Sequence, residues 1–84
     1  MTGNRTYDLD CDHEGLEQLR RRAALIPTDP DVRLTFAKKL LDCRKVDEAI
    51  LEIRAVIAMV PNHLEARKLL ESAHELQVFG QTGT

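Results

Sequence analysis

An internal offset of 34 residues superimposes this chain on itself. It pairs Glu14 with Glu48, Arg20 with Arg54, Ala24 with Ala58, Pro27 with Pro61 and Arg33 with Arg67 as identities. The same offset sets Leu16 on Ile50, Leu19 on Ile53, Leu25 on Met59, Ile26 on Val60, Asp31 on Glu65 and Phe36 on Leu70. Residue type and apolar character recur together, the mark of a supersecondary unit that buries its apolar face only against its neighbours. With 84 residues in all, the chain holds one small domain at most.

Within the period the apolar residues follow helical spacing. From Asp12 to Ile26 they are Leu16, Leu19, Ala23 and Ile26, offset by three and four, which puts them on one stripe. Asp12, Glu14 and Glu17 precede Arg20, Arg21 and Arg22, the order that a helix dipole favours. Pro27 stops this helix, Asp29 is the expected cap of the next, and Pro30 suits its first position. Val32, Phe36, Ala37, Leu40 and Leu41 form the second stripe, and the short break Asp42–Lys45 turns the chain back on itself. A third helix spans Val46 to Val60 through Ala49, Ile50, Ile53 and Ile57. After Pro61, Asn62 is expected to cap a fourth helix with Glu65 in a capping box, followed by Ala66, Leu69, Leu70, Ala73 and Leu76, and to fray near Phe79. Residues 12–79 are thus expected as the helical domain, with 1–11 disordered or loosely ordered and 80–84 a flexible tail.

Composition narrows the function classes. Hydrophobic residues make up 43% and charged residues 31%, which suits a soluble helical globule rather than a disordered segment. The net charge of −2 leaves no surplus of cations for phosphate backbones, so no nucleic-acid partner is expected. The acidic start lacks an apolar run, no membrane segment is visible, and a cytoplasmic setting is expected. Cys11 and Cys43 are too few for the dense disulfide framework of a small secreted scaffold.

The stretch Pro30 to Pro61, with Phe36-Ala37, Asp47-Glu48-Ala49-Ile50 and the closing proline, resembles one complete unit of the tetratricopeptide repeat (TPR) family. Helix one is similar to the second helix of a preceding unit and helix four to the first helix of a following one, so the resemblance covers about residues 13 to 78. It implies an all-α fold of antiparallel helical hairpins, a short TPR-like α-solenoid of four helices. Ala37 and Ala49 fall where the family keeps small residues at helix crossings, and Gly15 falls at such a position in helix one. The chain departs from the pattern at Arg33, at Val56 and at Arg44, which stands in the turn where glycine is frequent.

No constellation for chemistry emerges. Cys11, His13, Cys43, His63 and His74 are the soft-metal candidates, and their spacing matches no ligand motif. Phosphate loops, nucleophile elbows and paired carboxylates are missing from the sequence, so no enzyme, cofactor or metal is expected. Arg20 to Arg22 spread over most of a helical turn and suit a solvated face with intrahelical ion pairs. The TPR resemblance implies instead a concave face that holds a partner protein's peptide or helix. Its positions here are Asp31, Leu34, Thr35, Lys38, Leu41 and Asp42 in helix two, and Glu65, Lys68, Leu69, Ser72, Glu75 and Leu76 in helix four. The implied activity is that of a non-enzymatic protein–protein interaction module, an adaptor or scaffold. The alternative is a small structural or assembly subunit that works through homo-oligomerisation, since truncated solenoids leave apolar edges that favour a homodimer.

Overall fold

The computed structural model describes residues 11–82. Four helices follow one another, α1 (His13–Leu25), α2 (Pro30–Asp42), α3 (Val46–Met59) and α4 (Leu64–Thr82), and the described residues contain no strand. The all-α architecture expected from the sequence is present. Residues 1–10 and 83–84, expected to be loose, lie outside the described residues. The backbone of α4 continues through Gly80 to Thr82, beyond the expected end near Phe79.

Local chemistry starts and stops each helix. Asp12 caps α1, its carboxylate accepting the Gly15 N–H at 3.0 Å. A Cβ on Gly15 would press against that same carboxylate. The missing side chain therefore leaves room for the cap, and the expected role of Gly15 as spacer at a helix crossing is corrected. Asp29 caps α2 as expected, accepting from Asp31 N–H at 3.0 Å and Val32 N–H at 3.3 Å, with Pro30 in the first position. At the far end of α2 the Arg44 N–H donates to Leu41 O at 3.0 Å and the Lys45 N–H to Leu40 O at 2.8 Å. That pair of bonds is a Schellman turn, and it puts Arg44 in the left-handed region at φ 64°.

The cap of α4 differs from expectation. Nδ1 of His63 accepts the Ala66 N–H at 3.2 Å, so His63 rather than Asn62 closes the helix, and Glu65 makes no capping box. The reason lies in the turn before it. His63 N–H donates to Val60 O at 3.0 Å, just as Asp29 N–H donates to Ile26 O at 3.1 Å, so His63 takes the place that Asp29 holds one period earlier. The two joints repeat in their side chains as well. Nε of Arg33 donates to Pro27 O at 2.8 Å, and Nε of Arg67 donates to Pro61 O at 2.8 Å.

Packing is sequential: each helix rests on the next, α2 also touches α4, and among the described residues α1 and α4 do not pack together. Two apolar clusters result. Leu16 and Ala23 from α1 meet Phe36, Leu40 and Ala49, while Leu34, Ala37, Ile50, Ile53 and Val56 meet Ala66 and Ala73 from α4. Ala37 and Ala49 are fully buried between α2 and α3, the small-residue positions expected there. Between them the two clusters span all four helices, with α2 and α3 contributing to both.

Cys11 and Cys43 are joined, Cα to Cα 4.5 Å, which ties the residue before the α1 cap to the last turn of α2.

Candidate functional site

Because α2 and α4 leave equivalent joints, they run side by side, and Lys38 pairs with Glu65 across the gap. This ion pair holds the Glu65 carboxyl below the usual carboxylate range, the hydrogen bond from Lys38 being the main cause and its charge the next. The face shared by α2 and α4 carries most of the residues expected from the sequence. Asp31, Thr35, Lys38, Asp42, Glu65, Lys68, Ser72 and Glu75 are exposed, and Leu41 and Leu69 are half-buried against the core. Leu34 is the exception: at 3% exposure it belongs to the core beneath the face and has no surface to offer a partner. Thr35 uses its hydroxyl inside its own helix, donating to Asp31 O at 2.9 Å.

Two depressions lie along α2, one between α2 and α4 and the other between α1 and α2. The larger, 460 Å³ and open to solvent, is lined by Leu41, Asp42, Arg44 and Leu76. The smaller, 180 Å³, is lined by Leu19, Thr35, Lys38, Lys39 and Asp42. The structure thus brings Leu41, Asp42 and Leu76 to one place, and Thr35, Lys38 and Asp42 to the next. Lys68, Leu69, Ser72 and Glu75 line neither. Arg44, Lys39 and Leu19 were not among the expected positions. Arg44 had a signal in the sequence, since it occupies the turn position that favours glycine, and a non-glycine residue kept in the left-handed region costs about 1–2 kcal/mol.

The larger depression mixes apolar and charged chemistry in a small area. Leu41 and the 40%-exposed Leu76 offer apolar surface, while the guanidinium of Arg44 and the carboxylate of Asp42 offer a donor fork and an acceptor. Such a lining fits an apolar anchor flanked by a hydrogen-bonding group.

Arg20 departs from expectation. Besides Glu17 on its own helix, at 3.3 Å, it pairs with Glu48 on α3 and lies over the Phe36 ring at 5.2 Å. Its pKa is raised, first by the hydrogen bond to Glu48. Arg33 reaches Glu52 at 3.0 Å in the same region. At 100° per residue, Arg33 and Phe36 stand on the opposite side of α2 from Lys38 and Asp42. Arg20 and Arg33 therefore tie the helices together on the far side, and of the arginine run Arg21 and Arg22 are exposed. Of the soft-metal candidates, Cys11 and Cys43 are in their disulfide and His63 accepts its cap bond. No helix is long and apolar enough to cross a membrane among the described residues.

No protein-family model, curated protein or solved structure matches the chain.

Proposed function

We propose that this chain is a non-enzymatic protein–protein interaction module, a TPR-like adaptor or scaffold that holds a partner's peptide or helix on the face of α2 and α4. The observation that carries the reading is the pair of equivalent joints, Arg33 on Pro27 O and Arg67 on Pro61 O, each at 2.8 Å. Joints that repeat in sequence and in hydrogen bonding send α2 and α4 out alike, and stacked repeats of this kind use the surface so formed for binding. The partner that fits the larger depression has one apolar side chain for Leu41 and Leu76 and an acidic group for Arg44. A cytoplasmic setting goes with this reading if the Cys11–Cys43 bond is reversible, because thiol pools there keep most cysteine pairs reduced.

Two surface leucines separate this face from the rest. Leu76→Glu is expected to weaken binding of a peptide selected from a display library by at least tenfold, about 1.4 kcal/mol, while Leu51→Glu on the outer side of α3 leaves it unchanged. Equal losses from both substitutions count against the α2–α4 face.

Homo-oligomerisation is the second reading, favoured by the exposure of Leu25 (82%), Leu64 (71%) and Leu51 (66%). A dimeric mass at roughly 100 μM that Leu25→Glu and Leu64→Glu reduce to a monomer supports it, and a monomer at that concentration removes it.

A further inference from the structure

We propose that the Cys11–Cys43 bond is a reversible thiol-exchange site, opened by an anionic thiol of the glutathione class that attacks Cys43 while Cys11 leaves with a proton from His13. The bond lies at the surface, with both cysteines only half-buried, so a small thiol can reach it. The sequence neighbours of the two cysteines differ in net charge. Cys43 has Asp42 before it and Arg44 and Lys45 after it, and Lys39, one turn earlier on α2, stands 4.0 Å from the Asp12 carboxylate, so cations outnumber acids near Cys43. Cys11 is followed by Asp12 and Glu14. An anionic thiolate is drawn to the first side and repelled from the second.

Departure of Cys11 as a bare thiolate next to Asp12 and Glu14 is unfavourable, and here the third feature matters. Nδ1 of His13 lies 3.6 Å from the Cys11 sulfur, within reach of a sulfur hydrogen bond. The exchange balances as follows. The incoming thiolate forms a bond to Sγ of Cys43, the Cys11–Cys43 bond breaks, and its electron pair goes to Sγ of Cys11, which takes the His13 proton. A second thiolate then attacks the mixed disulfide, giving the external disulfide as oxidised product and Cys43 as thiolate, so that the protein gains two electrons.

The test uses the full chain in its disulfide form, reduced glutathione without denaturant, and an alkylating quench. Trypsin separates the cysteines, Cys11 on the peptide Thr6–Arg20 and Cys43 on Leu40–Arg44. The expected result is glutathione on Leu40–Arg44 and the alkyl label on Thr6–Arg20, in about tenfold excess over the reverse. His13→Ala is expected to slow the exchange by about tenfold or more, the low side of what a positioned proton donor gives. Circular dichroism checks that this variant keeps its helices. Glutathione on the Cys11 peptide, an even split, an unchanged rate in His13→Ala, or no adduct until urea unfolds the chain would each overturn the proposal, the last marking the bond as a permanent staple.

Discussion

Arg44 pays no visible return in hydrogen bonds for its left-handed φ of 64° beyond those of the turn backbone. Arg44→Gly is therefore expected to raise stability by about 0.5–1 kcal/mol, the relief of the left-handed penalty less the extra entropy of glycine in the unfolded chain. A lower urea midpoint would show that the guanidinium contributes contacts worth more than the strain. Gly15 gives the reverse test. In Gly15→Ala the new Cβ displaces the end of the short Asp12 side chain, while helix propensity gains about 1 kcal/mol. The net change is expected between about 0 and +1 kcal/mol, with loss of the cap bond as the offset. A drop of 1 kcal/mol or more would restore the helix-crossing role that the sequence suggests. Side-chain pattern showed both residues to be unusual, but the reason for Gly15 depends on the rotamer of Asp12, which no spacing rule contains.

At the scale of elements, the α2–α3 contact is closed by Ala37 and Ala49, both without exposed surface. Ala49→Leu adds volume where Leu16, Ala23, Phe36 and Leu40 already meet, and the expected cost is about 1–3 kcal/mol by urea titration. An unchanged midpoint would mean the helices are not packed there. Between α2 and α4 the Lys38–Glu65 pair sets a pH dependence with a definite sign. The folded Glu65 pKa is depressed, so the pair's contribution is complete above the ordinary carboxylate range and is lost as pH falls through the lowered value. Carboxyl NMR is expected to show Glu65 titrating below an ordinary glutamate and returning upward in Lys38→Ala; a titration that Lys38→Ala does not move contradicts the pairing. The helices themselves were legible from apolar spacing and from Asp29, Pro30 and Pro61. At the α4 cap, propensity favours the asparagine Asn62, whereas His63 takes the position. Counting 34 residues from Asp29 reaches His63, so the repeat held the answer that local preference obscured. For Arg20 the sequence shows only the intrahelical partner Glu17, three residues away, whereas Glu48 becomes a partner once α1 and α3 are folded onto α2.

For the whole molecule, the period of 34 residues organises both what was legible and what was not. It gave the number of helices and most of the residues buried between them, Leu34 and Val56 excepted, and it set α2 beside α4. It could not pair Cys11 with Cys43, because those residues come from outside the matched positions and meet only where the start of α1 crosses the end of α2. Nor could it bring Arg44 and Leu76 to the rim of one depression, since that depends on how α4 passes the α2–α3 turn. The central claim is that partners bind on the α2–α4 face. Amide chemical-shift mapping of the full chain with a display-selected peptide tests it most directly. The account predicts the largest shifts between Lys38 and Arg44 and between Glu65 and Leu76, with Arg20, Arg33 and Leu51 nearly still; shifts centred on α1 or on the outer side of α3 would contradict it.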